Sequence, residues 1–96
     1  AEAISGIPSS WPGYTLEQGS QGPKVRQIQE QLNVIAGAYP EIPKLEEDGI
    51  YGPETEAAVR KFQSIFGLPV TGEIDYKTWY KISEIYVGVS RIAELS

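Results

Sequence analysis

The chain has 96 residues and a net charge of −5, and it contains neither cysteine nor histidine. A chain of this length makes one domain with a modest core, and the missing residue types exclude disulfides, thiolate metal sites and histidine-dependent triads. The acidic balance and the scattered lysines and arginines argue against docking by bulk charge on nucleic acid, anionic lipid or teichoic polymers.

Residues 1–13 mix Gly, Pro and Ser without periodicity and read as a linker or an ordered strap. Trp11, Tyr14 and Leu16 are large apolar residues, best accounted for by packing across a helical core. The N-terminus lacks a basic segment followed by an apolar one, so no signal peptide is expected within this chain. If the protein works outside the membrane, this chain is a mature or excised piece. No apolar run approaches the roughly 18 residues that span a bilayer.

Gly22-Pro23 opens a first helix with Val25, Ile28, Leu32 and Ile35 on its apolar face, ended at Gly37. Pro40 and Pro43 forbid regular helix between Tyr39 and Lys44. Glu46, Glu47 and Asp48 form an acidic cluster that reads as a solvated turn. A second helix follows, with Gly52 as N-cap, Pro53 at the first helical position, and Glu54 and Glu56 at the positive end of the helix dipole. Its apolar residues Ala58, Val59, Phe62, Ile65 and Phe66 recur at three- and four-residue steps. Gly67 supplies a left-handed cap and Pro69 discourages continuation. Leu68 and Val70 anchor the next turn. Asp75 caps a third helix with Trp79, Ile82, Ile85, Tyr86 and Val89 on one face, ended or bent at Gly88. The expected core includes Val25, Ile28, Leu32, Val59, Phe62, Phe66, Trp79 and Ile82.

An internal repeat runs through these elements. Gly19, Gly22 and Pro23 recur in register as Gly49, Gly52 and Pro53, and Val25, Gln29 and Leu32 recur as Val59, Gln63 and Phe66. A partial third copy carries Gly72, Asp75 and Thr78 in the places of Gly49, Gly52 and Thr55. The fold class expected is all-α, a compact three-helix bundle entered three times through a similar turn. Gln29 and Gln63 lie at the edge of the apolar stripes and need hydrogen-bond partners. Holding a neighbouring loop is the preferred role for Gln29. For Gln63 that role and a place facing a ligand groove stand level.

Candidate chemistry is sparse. Asp48 and Asp75 form a conceivable acid–base pair, but each has a structural task at a turn or helix start, and no apolar setting is evident that would raise one carboxyl. A calcium loop aligned on Gly49 fails, because Lys44 and Thr55 fall where acidic ligands are required. No catalytic residue, metal or cofactor is therefore expected. Tyr76 and Tyr80 share a helix face and offer flat rings with hydroxyls, suited to sugar or peptide or to covering Trp11 and Tyr14.

The stretch Asp48-Gly49-Ile50-Tyr51-Gly52-Pro53-Glu54-Thr55, continuing through Ala58-Val59, Phe62-Gln63 and Gly67-Leu68, resembles the peptidoglycan-binding domain of cell-wall lytic enzymes. Thr71-Gly72, Asp75 and Thr78-Trp79 continue the likeness, and Gly19-Ser20, Gly22-Pro23, Val25, Ile28-Gln29 and Leu32-Asn33 match the first half. One departure is Asp75-Tyr76, where many relatives repeat Gly-Pro. The resemblance implies a non-catalytic helical module over residues 14–96 that holds a lytic enzyme on the wall, outside the cytoplasm. The alternative is a protein-interaction module that kept the fold without wall binding. Related pro-segments block a zinc protease through a cysteine, which this chain lacks. The expected partner is the glycan strand or stem peptide of peptidoglycan, bound by a monomer, with no nucleic acid and no membrane. The expected ligand-binding residues are Tyr51, Thr55, Gln63, Tyr76 and Tyr80, placed as a shallow groove between the second and third helices.

Overall fold

A computed structural model describes residues 11–95, and side chains through residue 90. Of the expected strap, residues 1–10 lie outside the described residues. The protein is all-α, with helices α1 (Pro23–Ala38), α2 (Pro53–Ile65) and α3 (Tyr76–Leu95). The described residues fit within 35 × 29 × 25 Å.

Each helix starts where the sequence places it. Pro23 and Pro53 open α1 and α2 behind Gly22 and Gly52, neither of which offers a side-chain cap. Asp75 caps α3 by accepting the Thr78 N–H at 3.0 Å. This carboxylate replaces the Gly-Pro start of the other two helices and satisfies one of the amides that a helix leaves free.

The stops differ in part. α2 closes as expected: Gly67 is left-handed at φ 76°, and the Leu68 N–H returns to the Gln63 carbonyl at 2.9 Å, a six-to-one closure that covers orphan carbonyls. Gly37 does not end α1, which runs to Ala38. The stop is set by Pro40, which pushes Tyr39 out of the helical region. Gly88 neither ends nor divides α3, which continues to Leu95.

The core draws on all three helices through Val25, Ile28, Leu32, Ile35, Val59, Phe62, Trp79 and Ile82, all nearly inaccessible to solvent. α1 and α3 form the closest helix pair, and α2 joins them through Val59 and Phe62. Phe66 is a correction: as the C-cap it leaves the helical stripe and is only partly buried, with its ring against Phe62 and Tyr39. Tyr14 is another correction, being exposed where packing was expected. A bend at residues 13–14 separates it from buried Leu16. Val70 is likewise exposed, whereas Leu68 packs against the core. Trp11 sits edge-on to both Trp79 and Tyr76.

The three helix entrances are stitched together. Leu16 and Ile74 exchange both backbone hydrogen bonds, at 3.0 and 2.8 Å. The Gly22 N–H donates to Gly49 O at 2.9 Å, and the Tyr51 N–H to Ser20 O at 2.9 Å. Gly49 adopts φ 74°, and a Cβ there would stand 3.1 Å from the Gly22 carbonyl oxygen. That close approach explains why the second turn carries glycine.

Candidate functional site: the helix entrances and the face of α3

The turn chemistry is built twice. Gln29, buried on α1, accepts the Gly49 N–H at 2.8 Å through Oε1. Its amide nitrogen faces Ile50 O at 3.0 Å, Thr55 Oγ1 at 3.1 Å and Asp48 Oδ1 at 3.1 Å. Gln63, buried on α2, repeats the arrangement one turn later. Its Oε1 accepts the Gly72 N–H at 3.0 Å and the Thr71 N–H at 2.9 Å. Its amide nitrogen faces Glu73 O at 2.9 Å, with Thr71 Oγ1 and Thr78 Oγ1 each at 3.2 Å. Each helix thus holds, through one glutamine, the turn that opens the next. Within each turn Asp48 and Thr71 play the same part, accepting Ile50 N–H and Glu73 N–H respectively at 3.0 and 3.1 Å.

These bonds settle what the polar groups can do. The Ile50 N–H and the Gln29 amide hold the Asp48 carboxyl below its usual range, as hydrogen bonds to a charged form do. Asp75 is engaged at the α3 cap. Neither carboxyl has the apolar surroundings of a general acid; both are exposed. Among the described residues no group of three or more acidic side chains is placed to hold a metal ion.

An open pocket of about 380 Å³ lies over the first glutamine. Thr55 and Gln29 reach it from below, Leu45 and Ile50 supply apolar wall, and Lys44, Glu46, Asp48 and Glu54 surround it. Over the second glutamine a smaller pocket of about 120 Å³ is lined in part by matching residues, Leu68, Thr71 and Thr78 in the places of Leu45, Asp48 and Thr55, with Lys77 standing where the first has Glu54. The two pockets are therefore copies that differ in charge.

The five expected site residues do not line one groove. Tyr51 is buried, and its hydroxyl donates to Gly72 O at 2.6 Å. Burial, with Glu56 and Glu73 nearby, pushes its phenol well above the ordinary range. Gln63 is buried with both ends of its amide occupied. Thr55 is buried but borders the larger pocket. Tyr76 and Tyr80 are the exposed pair, their rings stacked at 6.3 Å with a 27° tilt. Tyr51 and Gln63 are drawn inward because the turns they hold carry backbone groups that would otherwise be buried without partners.

Asn33 is a structural residue that sequence reasoning missed. It accepts the Leu45 N–H at 2.7 Å and donates to Leu45 O at 2.8 Å, fixing the proline-bearing loop. Its signal was its place beside Leu32 on α1, just ahead of a loop that cannot supply its own hydrogen bonds. Glu54 and Thr55, whose free N–H groups at the start of α2 are the expected receivers of a stem-peptide carboxylate, do border the pocket, but Lys44 and Glu46 were not expected there, since no short-range pattern marks a surface made by two distant segments.

Comparisons with known proteins agree with this geometry. The model of the peptidoglycan binding domain family matches residues 21–82. The chain is 41% identical over 76 residues to a zinc D-Ala-D-Ala carboxypeptidase of Streptomyces albus G, covering 79% of this chain and 28% of that protein. It is 50% identical over 46 residues to an autolytic lysozyme of Clostridium acetobutylicum, covering 48% of this chain and 13% of that one. The chain therefore spans less than a third of either relative's length. Among solved structures, the SleB N-terminal domain superposes with a TM-score of 0.65 at 30% identity, over 76% of this chain and 93% of its own. A fused zinc-dependent amidase/peptidase with a peptidoglycan-binding domain, from Clostridium acetobutylicum, gives 0.64 at 29% identity, over 72% of this chain and 28% of its own.

Proposed function

Because the chain belongs to the peptidoglycan-binding domain family, we propose that it is a non-catalytic module that holds an attached lytic enzyme on the cell wall, outside the cytoplasmic membrane. The observation that carries this reading is how the polar groups at the helix entrances are spent. Gln29, Asp48, Thr55, Gln63 and Asp75 bond one another or backbone, so the polar groups at the helix entrances have structural tasks, which supports a binding role over catalysis. The relatives support the same division of labour, since they are named as a carboxypeptidase, a lysozyme and an amidase/peptidase and this chain matches only a minor share of each. Of the expected contact residues, Tyr76 and Tyr80 offer the exposed rings and Thr55 borders the larger pocket. Tyr51 and Gln63 position the turns behind them. A weak individual site is enough for such a module, because tethering raises the effective concentration of enzyme and substrate.

Purified chain should sediment with insoluble peptidoglycan and release neither reducing sugar nor free amine from it. Absence of sedimentation would favour a protein-interaction module on the same fold. Release that disappears in Asp48→Asn or Asp75→Asn would make the chain an enzyme.

A further inference from the structure

The wall polymer offers two kinds of ligand, glycan strands and stem peptides, and the face of α3 differs in chemistry from the pocket at the start of α2. Tyr76, Tyr80 and Val87 are exposed and recur at helical spacing along one side of the helix. Single exposed apolar residues need no explanation, but these form a stripe that Trp11 touches at Tyr76 and that stays exposed at Tyr76, Tyr80 and Val87. The two rings are already ordered. They stack on each other at 6.3 Å, and Trp11 stands edge-on to Tyr76 at 5.8 Å and 77°, so little side-chain freedom remains to be lost on binding.

Resting on the wall-binding reading, we infer that the Tyr76–Tyr80 pair, braced by Trp11, is a sugar-stacking platform that takes the glycan strand. A pyranose ring presents C–H groups on its faces and hydroxyls at its rim. An aromatic face is electron-rich and attracts such C–H groups, while each tyrosine hydroxyl can meet a rim hydroxyl. Charge points the same way. The pocket at the start of α2 is ringed by Glu46, Asp48 and Glu54 against Lys44, and hydrogen bonding keeps Asp48 ionised. It repels a polymer bearing lactyl and peptide carboxylates. Beside the rings α3 carries Lys77 and Lys81, the latter paired with Glu84 at 3.1 Å, so this face is less acidic than the pocket.

The test uses the chain with two soluble probes: a peptide-free tetrasaccharide of alternating N-acetylglucosamine and N-acetylmuramic acid, and a free stem tetrapeptide. The tetrasaccharide should shift the Tyr76 and Tyr80 ring signals and the amides of the first two turns of α3, and the peptide should leave them unmoved. Tyr76→Ala with Tyr80→Ala should cut sedimentation with insoluble peptidoglycan at least tenfold while the amide signals of α1 and α2 stay in place. The phenylalanine pair should retain most of the binding. Equal sedimentation of the parent and the alanine pair, or shifts produced only by the peptide around Asp48, would overturn the platform and leave wall binding standing. A parent that does not sediment at all would overturn both.

Discussion

At the scale of single residues, the two buried glutamines explain more than any other side chain. Each replaces water for backbone groups of a turn that has no sheet or helix partner. Removing such a partner leaves buried polar groups unsatisfied, at about 1–3 kcal/mol. Gln29→Ala and Gln63→Ala should each lower stability to urea by at least that amount. A near-neutral effect would mean that water replaces the amide freely. Acid sensitivity belongs to the same scale. The Asp48 carboxyl is held below its ordinary 3.8 by the Ile50 N–H and by Gln29. Glu56 is lowered by Gln18 and then by Arg60. A lowered folded value means stability that is fully present above the ordinary carboxyl range and is lost as pH falls through the folded value. The urea midpoint should therefore hold steady near neutrality and decline below about pH 4. Asp48→Asn should flatten part of that decline, and an unchanged profile would show that Asp48 contributes little.

At the scale of elements, two glycines make opposite predictions. Gly67 is left-handed at φ 76° with open space around its Cβ position, so Gly67→Ala costs only backbone strain, about 1–2 kcal/mol. Gly88 lies inside α3 with an ordinary φ and equally open space. There Gly88→Ala should stabilise by about 0.4–1 kcal/mol, through helix propensity and a less free unfolded chain. Thermal melts of the two variants should move in opposite directions. The same contrast shows what local patterns can convey. A glycine after an apolar stripe reads as a stop in both places, but only at Gly67 does the following chain turn away, with Pro69 close behind. α3 continues past Gly88 because that glycine keeps a helical φ and no proline follows it.

At the scale of the whole molecule, the helices are joined as much through their entrances as through their faces. Tyr51 is the hinge of that arrangement, buried in the core with its hydroxyl on Gly72 O. Tyr51→Phe should lower stability by about 1–3 kcal/mol by stranding that carbonyl, and it should loosen the turns before α2 and α3 together, visible as faster amide exchange at both. Phe62→Ala removes a fully buried ring from the shared core and should cost about 3–5 kcal/mol, with exchange rising throughout. If Tyr51→Phe affected only one turn, the entrances would be independent.

Much of the fold was legible in order along the chain. Gly22-Pro23, Gly52-Pro53 and Asp75 announce helix starts through short-range geometry, and the spacing of Val25, Ile28 and Leu32, or of Val59 and Phe62, declares which faces are buried. Those signals depend only on neighbours within a turn or two, so they are enough for three helices, their directions of burial and a core closed without disulfides. Whether a side chain of mixed character faces in or out was decided by tertiary structure. Tyr51 and Gln63 looked as available as Tyr76 and Tyr80, but the first two are claimed by turns distant in sequence and the second two are left at the surface. The physical reason is that a buried backbone amide must find a partner wherever the packed chain brings one, and that partner is named by proximity in space, which no local pattern encodes.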